Sequence, residues 1–187
     1  IKLPLSEEDV RTLRTGDYVL LTGQIVCGRD RFHKFLFHEK PQDMPFSLEG
    51  AVLYHTGPIV QDGQIIAAGP TTSSRMDMYE PWVIGHYGLR GVMGKGGMGQ
   101  KTVEAMKEHG CIYLQTIGGA AVYLADRIRE LKDTWKAEEF GAAEAALIIE
   151  VEDFPAFVTI DSHGGSLHEE VLNESAERLK RLNSSVS

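Results

Sequence analysis

A strand, a glycine-rich loop, a helix and a second strand follow one another without interruption between Leu89 and Ile117, and this run constrains the fold more than any other stretch of the chain. Leu89-Arg90-Gly91-Val92-Met93 reads as a short strand, and Gly94-Lys95-Gly96-Gly97-Met98-Gly99 as the loop that leaves it. Gln100 to His109 has the spacing of a helix and stops at Gly110, a residue suited to the left-handed turn at a helix end. Cys111 to Ile117 is strand-like again. A strand–helix–strand unit favours parallel pairing, so the expected class is α/β.

The remaining segments fit that class. Ser6 caps a short helix whose first turn carries Glu7, Glu8 and Asp9, where carboxylates complement the helix dipole. Tyr18 to Cys27 reads as a strand bent or bulged at Gly23, and Arg29 to Lys40 as a helix. Ala51 to His55 and Gln64 to Ala68 are further strands, joined through Thr56-Gly57-Pro58 and Asp62-Gly63. Thr71 to Tyr79 reads as a short helix, and Pro81 opens another. After Gly118-Gly119 an alanine-rich helix is expected to about Arg129. Ala145 to Val151 and Ala156 to Ile160 read as two strands, and Leu167 to Leu182 as an amphipathic helix fraying into Asn-Ser-Ser. With 187 residues and no internal repeat or long linker, the expectation is a single mixed domain over residues 1–187.

The charge balance narrows the partners. A formal net charge of −8 argues against a general nucleic-acid or acidic-membrane surface. No run of residues is long and apolar enough to span a bilayer, and the start lacks the apolar stretch of a secretory signal. The only cysteines, Cys27 and Cys111, are far apart, which argues against a disulfide framework and makes the cytoplasm the expected location. Two thiols are also too few for an ordinary iron–sulfur cluster, and no metal-ligand set is evident in the sequence.

The loop from Gly94 to Gly99 invites two nucleotide readings, and both fail on spacing. Gly94, Gly96 and Gly99 match G-x-G-x-x-G, but Leu114 to Ile117 offers no acid for a ribose. Gly94 and Gly99 also have the spacing of a phosphate-binding loop, but Gln100 displaces Lys101-Thr102 by one position. A tight turn with an exposed lysine remains open, as does a small-anion site at a helix start. Gly69-Pro70-Thr71-Thr72-Ser73-Ser74-Arg75-Met76-Asp77 is equally two-sided. Its hydroxyls could cap a helix while Arg75 pairs with Asp77 or Glu80, or they could converge with Arg75 on a carboxylate. Gly28-Arg29-Asp30-Arg31-Phe32-His33 is a third basic patch at a helix start. Asp161-Ser162-His163-Gly164-Gly165 reads as a turn.

Taken in order, Thr22-Gly23, Gly28-Arg29-Asp30, His55-Thr56-Gly57-Pro58, Gly69-Pro70-Thr71-Thr72, Arg75-Met76-Asp77, Gly94 to Gly99, Gly118-Gly119-Ala120-Ala121 and Val158 to Gly164 resemble the C-terminal domain, or separate β subunit, of the class I fumarase and tartrate dehydratase family. G-P-T-T-x-x-R-M-D together with G-K-G-G-M-G is far more specific than either glycine pattern alone. The resemblance implies a swivelling β/β/α domain with mixed sheets. It implies a hydro-lyase that hydrates fumarate reversibly to L-malate, as in the tricarboxylic acid cycle, and that acts only in a hetero-oligomer. A cluster-bearing α subunit, not this chain, would carry the 4Fe–4S cluster. Arg29, Arg75 and Lys95 would hold the carboxylates of a small dicarboxylate, with Gly96 in the same loop. Thr71 would sit where a proton leaves carbon, and Thr71, Arg75 and Lys95 would form the catalytic set. Cys27 stands where many members have a hydroxyl residue and reads as an ordinary buried thiol. The alternatives are an L-tartrate dehydratase β subunit and, in another class, a non-catalytic small-anion-binding domain.

Overall fold

The computed structural model describes residues 1–184. Strands β1 (Tyr18–Cys27), β2 (Val52–Tyr54), β5 (Gly91–Gly94) and β6 (Ile112–Gln115) lie side by side and parallel. β8 (Ala146–Ile160) runs antiparallel to both outer members of this group, pairing with β1 over Tyr18–Cys27 and with β6 through its last residues. One long strand therefore closes the sheet into a ring of five. β7 (Ile128–Trp135) pairs with the first half of β8. A separate hairpin joins β3 (Ile59–Gln61) to β4 (Gln64–Ala67). Its turn residues Asp62 and Gly63 both have positive φ, 50° and 75°, the conformation that a two-residue hairpin turn needs and Asp-Gly accepts.

Closure explains why the parallel strands show no polar alternation. Ile25, Cys27, Val52, Tyr54, Met93, Ile112 and Leu114 point into one apolar core with Phe154 and Val158 of β8. Their neighbours Val26, Leu53, Val92 and Tyr113 point to the other face. There they meet Phe32 and Leu36 of α2 (Asp30–Glu39), Val83 and Ile84 of α3 (Glu80–Tyr87), and Val103 and Met106 of α4 (Gln100–His109). Strands buried on both faces read as continuous apolar runs.

Several expectations hold closely. α1 (Glu7–Thr12) has Ser6 as its cap in a reciprocal capping box with Asp9, α4 ends at left-handed Gly110, and β1 is irregular at Gly23. Others are corrected. Thr71 to Tyr79 is not an α-helix; only Ser73–Met76 forms a 3₁₀ turn, and α3 follows with Pro81 in its first turn. The alanine-rich helix stops at Ala125 (α5, Ala121–Ala125), and the chain continues as β7 before the short α6 (Ala137–Phe140). The two strands expected after Ala145 are one, because continuous β1 beside them carries pairing across Glu152 to Pro155. The last helix, α7 (Leu167–Ser184), buries no residue, and Val171, Leu172, Leu179 and Leu182 are all exposed. Asn183 and Ser184 belong to that helix, while Ser185, the end of the expected fraying, lies outside the described residues. No described helix is long and apolar enough to cross a membrane.

Candidate active site

The C-terminal ends of the parallel strands carry the residues that the sequence singled out. Gly28 leaves β1 and leads to Arg29, the residue that precedes α2. Its lack of a side chain is required, since a Cβ there would lie 2.2 Å from the Phe32 ring. β5 ends at Gly94, where a Cβ would meet Ser73 Oγ at 2.1 Å. This close approach lets the segment from Thr71 to Ser73 lie along Lys95 as a one-residue parallel bridge. Lys95 N–H donates to Thr71 O at 3.2 Å, and Ser73 N–H to Lys95 O at 3.0 Å. Thr71 N–H in turn donates to His55 O at 2.6 Å. Thr71 and Lys95 are thus neighbours by backbone pairing, although they are far apart in sequence.

Arg75 joins this group through Asp30. Its Nε and Nη2 donate to the two carboxylate oxygens of Asp30 at 3.0 and 2.7 Å. Arg75 does not pair with Asp77 or Glu80, the partners the sequence suggested. The Arg75 side chain is 50% exposed and that of Asp30 34%, so the pair contributes about 0–1 kcal/mol. An incoming carboxylate can compete for that guanidinium at small cost. Arg29 reaches Glu144 at 3.4 Å, and its Nε lies 4.0 Å from Asp30 Oδ2 but is buried with no hydrogen-bond partner among the described residues. Gly57 passes so close that a Cβ there would sit 2.9 Å from Arg29 Cδ. Lys95 is partly buried beside Gly118 and forms no ion pair among the described residues. The Thr71 hydroxyl likewise has no hydrogen-bond partner among them.

The glycine-rich loop meets its own needs more than expected. Gly96 and Gly97 take φ of 85° and 74°, and Gly97 packs against the His168 ring. Gly96 N–H donates to Gln115 Oε1 at 3.2 Å, so a ligand would have to displace that side chain to use it. The start of α4 is not open to an outside anion. Gly99 N–H donates to both oxygens of Asp77 at 2.9 and 3.0 Å, and Thr102 Oγ1 adds a bond of 2.9 Å to the same carboxylate. Asp77 is thus the anion at this helix terminus. The turn at Asp161 is confirmed as a turn. Its carboxylate accepts from the N–H groups of His163 and Gly165, and His163 contacts Arg11 and Arg14 near α1. Cys27 and Cys111 are free, fully buried and in different cores, and burial pushes both thiols up.

Sequence reasoning missed one cluster beneath these residues. Glu80, His33 and His55 are wholly buried, with Glu80 Oε2 3.0 Å from His33 Nε2 and 3.2 Å from His55 Nε2. The three come from separate elements at irregular spacing, so no local pattern announced them.

This fold and this gathering of cations mark a member of a defined family. Residues 1–171 match the family model described as the fumarase C-terminus, and the chain belongs to that family. Among its relatives, a Geobacillus stearothermophilus protein provisionally named fumarate hydratase class I is 45% identical over 191 residues, covering all of this chain and 36% of that protein. A Methanocaldococcus jannaschii protein provisionally named L(+)-tartrate dehydratase subunit beta is 35% identical over 185 residues, covering 95% of each chain. The L(+)-tartrate dehydratase subunit beta of Escherichia coli K12 is 35% identical over 181 residues, covering 94% of this chain and 89% of that one. The chain therefore spans about a third of the first relative's length and nearly all of the other two.

Proposed function

We propose that this chain is the β-type half of an iron–sulfur-dependent hydro-lyase that interconverts fumarate and L-malate, with a separate α-type partner completing the site. The observation that carries the reading is the set of unmet groups around one turn. Among the described residues Arg29 Nε is buried without a hydrogen-bond partner, its nearest carboxylate being Asp30 at 4.0 Å, Lys95 lacks an ion pair, and the Thr71 hydroxyl is unengaged. A buried unpaired donor is costly, and a carboxylate is the acceptor best suited to a guanidinium. Arg75 adds a second fork, held in reserve by Asp30.

Dehydration of malate removes a weakly acidic proton next to a carboxylate, so negative charge grows on that carboxylate. Cations already in place stabilise it without reorganising. Arg29, Arg75 and Lys95 take that role in the proposal, and their positive potential stabilises Thr71 as an alkoxide once its hydroxyl proton has passed to solvent; the alkoxide then takes the proton from carbon and becomes the hydroxyl again. The chain's own cysteines do not fit an iron–sulfur cluster. Both are sunk in apolar cores, and a cluster takes three or four thiolates. A cluster on the partner is therefore part of the proposal. The exposed apolar side chains of Tyr18, Ile117, Val122 and Tyr123 beside the Gly118–Gly119 turn supply a face on which such a partner could close.

A specific observation favours a second substrate reading. The relatives that match this chain along nearly their whole length carry the tartrate dehydratase beta name. Coexpression with the candidate partner without oxygen, followed by parallel assays of fumarate, mesaconate and tartrate, decides between them. Turnover of fumarate in preference to tartrate supports the first reading. Turnover of none would return the chain to a non-catalytic anion-binding role.

A further inference from the structure

Glu80 is a fully buried carboxylate at the start of α3, held between two fully buried imidazoles, His33 on α2 and His55 just after β2. The outward nitrogens of the two rings fix their proton positions. His33 Nδ1 lies 2.8 Å from the Arg29 carbonyl, which only accepts, so Nδ1 carries a proton. His55 Nδ1 lies 2.8 Å from Ser73 Oγ, and the Tyr113 hydroxyl donates to that same oxygen at 2.8 Å. With that bond accepted, Ser73 has its own proton to give to His55 Nδ1, and the tautomer that takes it carries the His55 proton on Nε2, facing Glu80.

A carboxylate this deep requires a compensating charge. His33 supplies it by adding a second proton at Nε2, the nitrogen 3.0 Å from Glu80. Burial alone would lower His33, but the charge of Glu80 reverses this and leaves it raised, whereas for His55 burial prevails and leaves it lowered. Asp30, Cys111 and Tyr113 are the other titratable groups that face the cluster. Neither imidazole contact with Glu80 is aligned as a hydrogen bond, so His33 attracts Glu80 as a charge in contact and the neutral His55 as a dipole. A metal ion fits less well. The described residues offer three donors within 4.8 Å of one another, zinc takes four, and the site is closed to the solvent that could complete it.

The outer ends of this cluster touch the candidate site from two sides. His33 is bonded to the turn that carries Arg29 and Asp30. His55 is bonded to Ser73, midway between Thr71 and Arg75, and Ser73 N–H also holds Lys95 O. We propose that His33, Glu80 and His55 form a charge clasp that fixes the distance between the Arg29–Asp30 turn and the Thr71–Arg75 turn, and so orients the groups that grip a dicarboxylate. The three are positioning residues and touch no substrate; this role rests on the reading of the site given under Proposed function.

The test begins with the isotopically labelled chain alone, read by imidazole nitrogen spectra. Just above the ordinary histidine value, His33 should still be doubly protonated and His55 a neutral Nε2–H tautomer. In Glu80→Gln, His33 should lose its extra proton, and the Arg75 Nε–H signal should exchange faster as its hold on Asp30 loosens. In the assembled enzyme, Glu80→Gln should keep its circular dichroism spectrum while kcat/KM falls about 10²-fold, much of it through KM. Ser73→Ala, which severs the link from His55 to the turn together with the Tyr113 bond to the same oxygen, should reproduce the kinetic loss while His33 stays cationic, and it serves where Glu80→Gln does not fold. A neutral His33 in the wild type, or one equivalent of zinc or cobalt retained through dialysis against a chelator, overturns the clasp. A folded Glu80→Gln with His33 neutralised but Arg75 exchange and kinetics unchanged overturns its positioning role. If the wild-type assembly turns over no dicarboxylate, the functional reading fails, and the nitrogen spectra and Arg75 exchange still decide the clasp.

Discussion

Arg75 shows how a single residue can be held ready without being locked. Its two-pronged bond to Asp30 is half exposed, so a ligand carboxylate can replace Asp30, but only a planar guanidinium can make the exchange in kind. Arg75→Lys in the assembled enzyme should therefore lose about 2–4 kcal/mol of transition-state stabilisation, read from kcat/KM. Near-normal kinetics would leave Arg75 as a surface ion pair. Thr71→Ala separates chemistry from structure. Because the Thr71 hydroxyl has no hydrogen-bond partner among the described residues, its removal should barely change stability while kcat falls strongly. Exchange of the malate C3 proton into deuterated solvent should fall in parallel, and exchange at the wild-type rate would exclude Thr71 as the group that takes the proton. Arg29, Thr71, Arg75 and Lys95 were singled out in the sequence through the family resemblance, on motifs that open at Gly28, Gly69 and Gly94, and their roles stand as proposals. Glu80 was not singled out. Its two partners come from elements 25 and 47 positions away, and only the packing of three elements brings them to it.

At the level of elements, α4 was legible to the residue, since Gly99 and Gly110 bracket it and its apolar positions recur at helical spacing. Its cap was not foreseen, because Asp77 reaches Gly99 and Thr102 from 22 and 25 positions back. Asp77→Ala should cost about 1–2 kcal/mol, the upper range for a lost helix cap, seen as a lower denaturant midpoint at unchanged slope. No change would mean that water replaces the carboxylate without loss. β7 was missed for a different reason. Ile128 to Trp135 is an edge strand that pairs on one side only, exposes most of its side chains and shifts register twice, so strict alternation never develops. In β8 the signals of a break are real but local. Asp153 takes a φ of 52° and its N–H donates to Thr22 Oγ1, at a bulge opposite Thr22. The neighbouring strand is what makes the two halves one.

For the whole molecule, the buried cluster ties stability to pH. Burial raises Glu80, but the charge of His33 and the facing His55 imidazole outweigh it and bring its folded value to about 2. Its stabilisation is present above the ordinary carboxylate value and is lost as pH falls toward about 2. His55, lowered in the fold, removes stability in the same direction as pH falls below the ordinary histidine value. His33, raised in the fold, contributes fully below that value and loses its contribution as pH climbs through its folded one. Denaturant midpoints across pH should therefore decline on both the acid and alkaline sides in the wild type; Glu80→Gln should flatten the alkaline decline and start the acid decline nearer the ordinary histidine value, because burial then lowers both imidazoles. A Glu80→Gln profile parallel to the wild type would place the pH dependence elsewhere.

Everything proposed for catalysis turns on a site divided between two polypeptides. The direct measurement is an anaerobic titration of the purified chain into its candidate partner, following malate formation from fumarate and the iron content of each component. The chain alone should be colourless, free of stoichiometric iron and inactive, and turnover should rise to a plateau as the two components reach equal amounts. Turnover by the chain alone, or an iron–sulfur cluster bound to it, would contradict the divided site.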